Sequence, residues 1–596
     1  MSPRTRRTAH ETAGSPAEAA AARDPSALRA RLRDASAFTT IVELVPWRGV
    51  LDDPGGRRAR VMAAALATDP RVDALSVTDN AGGHAMASPE ILGRELLDAG
   101  SEVIVHVACR DRNRNELTSL GWRLASAGFH NVLCLSGDYP VAGYEGLARP
   151  VFDLDSVALL AMYTEIDAGR WPVAGDRGAA HAAAAEAWAP PDFFLGAVVN
   201  NHKRLEAEVI PQYQKLALKV RTGARYVISQ VGYDARKQDE LLRWMRRAGL
   251  SVPTIANAFI LTRGAARAFH SGRIPGCTVT DELLAIVERE GASPDKGKAY
   301  FVEIAAKQAA IAKGLGYAGI YIGGAATHDD VGRILDTAAT YGPDDWRTFA
   351  REIRFEQPDE FHFFEEDPET GLSSDVVSRP YLRSKRRAAR PPHALRAPVA
   401  YTVNRLVHGA VFAPGSFGFE RAAWGHGLLE KYHLGKPLHV FEQAVKVPLY
   451  DCRDCGDCSL PDIAYLCPES QCAKNQRNGP CGGTHDGACE VPGRTCIWVR
   501  AYDRLRAWGE VDEMLDRPPI TTDNALRRTS AWANTFLGRD HFGRLAAAAA
   551  AAAATKPAAA TTPAAATKPA AATTAREASA GAGAPSGATQ TKETDA

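Results

Sequence analysis

Between Thr39 and Gly324, short runs of β-branched and aliphatic residues alternate with stretches whose apolar positions recur three and four residues apart. The extended runs predict strands at Thr39–Val45, Val72–Thr78, Val103–Ala108, Val132–Leu135, Phe193–Asn200, Tyr226–Gln230, Thr254–Phe259 and Gly319–Ile322. Helical patterns such as ELTSLGWRLASAG and KQDELLRWMRRAG fall between them. Eight strands separated by helices over about 290 residues is the arithmetic of an α/β fold, the (β/α)8 or TIM barrel. A doubly wound open sheet is the alternative. No GxGxxG follows the first strand, so a dinucleotide site of the Rossmann type has no support there.

Outside that region the pattern breaks down. Residues 1 to about 35 are rich in Ala, Arg and Ser without a lasting period, and are expected to be disordered. From about Ala546 an alanine run gives way to Lys-Pro and Thr-Pro steps, which predicts a flexible tail. The segment 171–191 reads as an Ala-rich insertion before the fifth strand. Residues 351–398, rich in Pro, Arg and acidic side chains, read as a linker, with the aromatics of FHFFEEDPETGL packing on a neighbouring domain.

Composition adds a second chemistry. Of 11 cysteines, eight fall between Cys452 and Cys496. Cys452, Cys455 and Cys458 are spaced C-x2-C-x2-C, Gly456 eases the bend between them, and Cys467 precedes a proline. Two-residue gaps let neighbouring thiolates turn toward one ion or cluster. A [4Fe–4S] cluster and a four-thiolate zinc site both fit, with Cys467, Cys472 and Cys481 as candidates for the fourth ligand. Cys489 and Cys496 stay unassigned, whereas Cys109, Cys134 and Cys277 read as small buried hydrophobes.

Charge excludes more than it suggests. The 71 basic and 70 acidic residues give a net charge of +1, which supports neither nucleic-acid binding nor an anionic membrane surface. No apolar run reaches the roughly 18 residues of a membrane helix. The basic N-terminus lacks an apolar h-region, which predicts a cytoplasmic protein with reduced thiols.

Chemistry in a (β/α)8 barrel sits at the C-terminal strand ends. The first strand carries Glu43 on the same face as Ile41 and Val45. Such a carboxylate is either satisfied by a core cation or raised in pKa as a general acid requires. The following ends offer Thr78, Asp79 and Asn80, then His106, then Gly137 and Asp138 in LSGDYP, then Asn200, then Gln230. Lys219 lies in LALKVRTGA just upstream of the sixth strand. With no GxSxG and no P-loop, this polar set suits an organic cofactor that the protein positions.

The series ELVPW, SVTDNAGG, VHVAC, LSGDYP, DLDS, LKVRTGA, ISQVGYD and GYAGIYIGG resembles the methylenetetrahydrofolate reductase family in order along the chain. The run CRDCGDC through CEV resembles the cysteine-rich C-terminal domain that accompanies some of these reductases. The resemblance implies an FAD-binding barrel over 36–349, a linker over 350–398, a cysteine-rich domain over 399–535 and a tail over 546–596. It implies reduction of 5,10-methylenetetrahydrofolate to 5-methyltetrahydrofolate, in one-carbon metabolism and methionine synthesis. Glu43 then matches the acid that protonates N10. Thr78, His106, Gly137, Asp138 and Lys219 match flavin-binding positions, the last beside the FAD phosphates. Asp138 and Gln230 match folate-binding positions. The chain departs from the family pattern at Ser136, at Asn200-Asn201 and at Asp79-Asn80, which bears on the electron donor more than on the reaction. That donor is NADH, NADPH or a reduced protein partner, and a homo-oligomer is left open. The competing reading is a folate-binding adaptor whose cysteine module docks a redox or corrinoid protein.

Overall fold

A computed structural model describes residues 27–170, 189–388 and 398–555. The expected disorder of 1–26, most of the Ala-rich insertion and the tail from 556 lie outside the described residues.

Eight parallel strands close into a barrel in sequential order. They are β1 (Thr39–Leu44), β2 (Ala74–Val77), β3 (Val103–Ala108), β4 (Asn131–Leu135), β5 (Phe194–Val199), β6 (Tyr226–Ser229), β7 (Thr254–Phe259) and β8 (Gly319–Gly323). Closure pairs Thr39 with Gly319 and Ile41 with Tyr321. The open-sheet alternative is thereby excluded. Strand side chains alternate as the pleat requires. Val42, Leu44, Val103 and Val105 face outward into the layer of helices, whereas Ile41, Ile104, Leu133 and Ile255 fill the barrel interior. Glu43 and His106 share the interior parity, one step nearer the C-terminal mouth.

The helix α1 (Ala27–Arg33) corrects the expectation of disorder through residue 35. Leu28 and Leu32, one helical turn apart, are buried against Ile41, Ala74 and Phe194 at the N-terminal end of the barrel. Two leucines give too weak a period to stand out in an Ala/Arg-rich stretch, but the open barrel floor gives them a partner.

Three of the barrel's outer helices matter for the site: α2 (Ser156–Asp167), α3 (Glu206–Thr222) and α4 (Ala235–Arg247). The 350–398 stretch, expected to be a linker, is folded as far as residue 388. Phe364–Glu366 and Ser373–Val377 form a hairpin, followed by a helix at Arg379–Ala388. Ser373 N donates to Asp239 Oδ2 at 3.0 Å and Phe363 N to Glu240 Oε2 at 2.5 Å, so the polar stripe of α4 holds this hairpin. Phe363, Phe364 and Tyr381 are buried in a core that also takes Tyr213 and Leu216 from α3 and Trp498 and Tyr502 from the C-terminal domain. Proline and charge suggested a tether; buried aromatics make it a joint.

The C-terminal domain contains two long helices, α5 (Gly435–Tyr450) and α6 (Ile497–Trp508), on either side of an irregular cysteine-bearing segment. Gly456 has φ +72°, and a Cβ there would meet the Leu526 carbonyl oxygen at 1.8 Å, so only glycine fits this bend. The alanine run, expected to be flexible, forms a helix over His541–Thr555 as far as the described residues reach. No described helix is long and apolar enough to cross a membrane.

Candidate active site

The C-terminal mouth of the barrel encloses a cavity of about 280 Å³. Glu43, Thr78, His106, Gly137, Asp138, Lys219 and Gln230 all line it. Positions scattered over 188 residues of sequence thus meet because each ends a strand or faces one from an adjoining helix.

At its base Tyr321 donates its hydroxyl to Glu43 Oε2 at 3.0 Å and lies 3.4 Å from His106 Nε2, which also contacts Ser76 Oγ at 2.8 Å. Burial raises the Glu43 pKa above the usual carboxyl range, only partly opposed by the Tyr321 hydrogen bond. Burial also lowers His106 to about 3, so its imidazole is neutral. The base of the cavity therefore has one group disposed to hold a proton and no neighbouring cation that would remove it.

The walls carry hydrogen-bonding capacity that the protein leaves unused. Thr78 Oγ1 and Asn257 Oδ1 are buried without a hydrogen-bond partner. Buried polar atoms of this kind call for a ligand or water. Lys215 and Lys219, one turn apart on α3, both line the cavity. Burial, and secondarily the charge of Lys215, lowers Lys219 to about 7, while its Nζ donates to Val198 O at 2.6 Å. An anionic group arriving here would relieve both effects. This donor set fits the phosphates and polar ring edge of a flavin dinucleotide.

The positions that depart from the family pattern serve the fold. Asp79 Oδ2 accepts from Ala108 N at 3.0 Å and pairs with Arg112. Asn201 is fully buried and donates to Lys237 O at 3.1 Å. Asn200 donates to Gly276 O and Gly482 O at 2.8 and 3.1 Å. Gly137 has φ +85°, with an added Cβ only 3.0 Å from Ala108 Cβ. Gly137→Ala should therefore cost about 1–2 kcal/mol from the left-handed backbone alone. A lower urea midpoint at unchanged m-value would show it; an unchanged midpoint would refute it.

Gly482 belongs to the cysteine-rich domain, which forms part of the cavity itself. Lys474, Pro480, Cys481, Gly482, Gly483 and Glu490 line the same space as Glu43. Ser136 Oγ donates to Gln476 Oε1 at 3.0 Å, Gln212 Nε2 to Cys481 O at 2.7 Å, and Lys474 Nζ to Gly137 O at 2.8 Å. Sequence reasoning named Cys481 only as a metal ligand, placed no C-terminal residue at the barrel cavity, and missed Tyr321, Asn257 and Lys215. Lys215 could have been found from its four-residue spacing to Lys219, and Tyr321 from its interior parity on the last strand. The C-terminal residues left no such signal.

Cys452, Cys455, Cys458 and Cys467 line a separate cavity of about 10 Å³. Lys446 Nζ lies 3.6 Å from Cys458 Sγ there. Cys467 is thus the fourth residue of this set, while Cys472 and Cys481 lie outside it. Asp234, Glu356 and His362 also draw close together. Glu356 is already paired with Arg354 and Arg236, however, and the group lies where the hairpin joins α4.

Residues 60–319 match the family described as methylenetetrahydrofolate reductase. Residues 433–523 match the family described as methylene-tetrahydrofolate reductase C terminal. No curated protein matches. Among solved structures, an uncharacterized protein from Clostridium thermocellum that binds two copies of 5-methyl-5,6,7,8-tetrahydrofolic acid aligns at 13% identity and TM-score 0.37, covering 52% of this chain and 98% of its own. Yersinia pestis DHPS with a pterine-sulfa conjugate aligns at 12% identity and TM-score 0.28, covering 52% of this chain and 95% of its own. A closed eight-stranded barrel and a cysteine-rich domain, each matched by its own family description, make this chain a member of the methylenetetrahydrofolate reductase family with the family's C-terminal domain fused to it.

Proposed function

We propose that the protein reduces 5,10-methylenetetrahydrofolate to 5-methyltetrahydrofolate. The observation that carries this reading is Glu43, a carboxyl whose pKa is raised by burial at the base of a barrel cavity that has unused hydrogen-bonding groups and two lysines in its walls. A carboxyl with a raised pKa, aimed into the cavity beside a neutral His106, is what proton delivery to a bound substrate requires, which favours turnover over the adaptor reading.

FAD bound in this cavity would supply the hydride. Thr78, Asp138 and Lys219 would hold it, with His106 as a neutral contact. Glu43 would retain its proton until N10 of the substrate accepts it as the five-membered ring opens. Gln230 and Asp138 would orient the pterin through their amide and carboxylate. The lid contributed by segment 474–490 would keep water from the reacting carbon. Electrons would come from NADH, NADPH or a reduced protein, and the thiolates of Cys452, Cys455, Cys458 and Cys467 would hold a [4Fe–4S] cluster or zinc. All eleven cysteines are unpaired, in keeping with that role and with a cytoplasmic setting.

Mixing the purified, FAD-reduced protein with 5,10-methylenetetrahydrofolate under anaerobic conditions tests the reading. Flavin absorbance should return as 5-methyltetrahydrofolate forms. A flavin that stays reduced in the presence of substrate would overturn it.

A further inference from the structure

Of the eight clustered cysteines, four are explained by the small cavity they share. The other four, Cys472, Cys481, Cys489 and Cys496, are absent from its lining. Cys481 instead lies within electrostatic reach of each of the other three, and it also lines the barrel cavity.

The backbone around these residues is shaped to present sulfur. Ala488 pairs with Thr495 in an antiparallel bridge. Cys489 N donates to Arg494 O and Cys496 N to Gly487 O, both at 2.9 Å. Cys489 and Cys496 therefore fall on the same side of a tight paired turn. Gln476 N lies 3.4 Å from Cys472 Sγ, and Val491 N lies 3.5 Å from Cys489 Sγ. The first set shows the same motif, with Asp454 N 3.4 Å from Cys452 Sγ. A neutral thiol is a weak acceptor, so amides aimed at sulfur suit metal-bound thiolates. Cys496 also occupies the N-cap of α6, where the helix dipole favours negative charge.

The surrounding charge points the same way. Lys203 and Lys215 are buried lysines of the barrel. Their hydrogen-bond partners are backbone and amide oxygens, among them Gly482 O at 2.8 Å from Lys203 Nζ and Pro480 O at 3.0 Å from Lys215 Nζ. Both lie within electrostatic reach of Cys481, as does Lys474. Carboxylates also face these cations, Glu208 toward Lys203, Asp155 toward Lys215 and Glu490 paired with Lys474, and a four-thiolate centre of net negative charge would add to them in a buried, cation-rich wall.

We propose that Cys472, Cys481, Cys489 and Cys496 hold a second metal centre, an iron–sulfur cluster built into the wall of the barrel cavity and separate from the first. Zinc on four thiolates needs sulfurs about 3.8 Å apart, given bonds of about 2.3 Å. Four thiolates with backbone amides directed at their sulfurs suit an iron–sulfur core as well. Its use in feeding electrons to the cavity rests on the function proposed above. Its existence does not, so metal content and folate turnover can fail independently.

The test is iron, sulfide and zinc analysis of the full chain purified without oxygen. Wild type should hold about four irons and four sulfides in this centre, and about eight of each in total where the first set also carries a [4Fe–4S] cluster. Cys489→Ser should lose about four irons and keep the metal of the first set, iron or zinc, whereas Cys458→Ser should do the reverse. No iron retained by Cys458→Ser, or loss of zinc in place of iron from Cys489→Ser, would overturn the proposal. If Cys489→Ser does not fold, the iron retained by Cys458→Ser decides alone.

Discussion

Glu43→Gln should lower the rate of methylenetetrahydrofolate reduction by about 10²–10⁴-fold, the range expected for loss of a positioned general acid. Glutamine keeps the size of the side chain and its acceptor for the Tyr321 hydroxyl, so the cavity should keep its shape. Flavin binding and flavin reduction by the electron donor should be unchanged. Anaerobic stopped-flow, with the two half-reactions followed separately, distinguishes these effects. Equal losses in both halves would mean that Glu43 supports the cavity without acting as its acid.

The pH dependence follows from the same group. Burial raises the Glu43 pKa, and in the proposed reaction the protonated form is the active one. The wild-type rate should therefore fall as pH rises through the raised value, and Glu43→Gln should lack that limb. Stability has the same sign. A carboxyl raised in the folded state favours folding fully below its unfolded pKa, and that contribution is lost as pH rises through the folded value. At neutral pH the glutamine variant should then be at least as stable as wild type, which a urea titration would show.

The second large effect is expected at Asp155, in the DLDS motif. Asp155 Oδ1 accepts from Val157 N and Ala158 N at 3.0 Å each, capping α2. Its other oxygen accepts from Arg477 N at 3.1 Å and Asn478 N at 2.8 Å, and Asn478 Nδ2 donates to both. One buried carboxylate thus starts a barrel helix and anchors the lid segment. Asp155→Ala should cost about 3 kcal/mol or more. The lost cap contributes about 1 kcal/mol, and each buried amide left unpaired contributes about 1–3 kcal/mol. Asp155→Asn keeps an acceptor for the helix and should cost less. The lid should loosen first, so limited proteolysis near residue 478 should precede global unfolding of the alanine variant. A variant with wild-type denaturation and protease resistance would show that the lid is held elsewhere.

The barrel was legible because its strands are buried on both faces and read as continuous apolar runs. Glu43, Thr78, His106, Asp138 and Gln230 were legible because strand ends of such a barrel converge on one mouth, whatever their distance in sequence. The α1 helix was missed because only Leu28 and Leu32 mark it. In the 350–388 segment the packing of Phe363 and Phe364 was legible, but the hairpin and helix were not, because their partners on α3, α4 and α6 are far away in the chain. Spacing also failed to divide the cysteines. Cys467, Cys472 and Cys481 are equally eligible by sequence, and only their position in space assigns Cys467 to the first set.

The sequence by itself determined the barrel strands, the helices between them, the place of Glu43 on the first strand and the thiolate-rich segment, because each is encoded in local period or spacing. Only the tertiary structure decided that the two regions make one site. Ser136 and Gln476 are 340 residues apart and Gln212 and Cys481 are 269 apart, yet both pairs meet at the cavity mouth. Contacts of that range arise from packing one folded surface onto another, and they leave no pattern in the chain on either side.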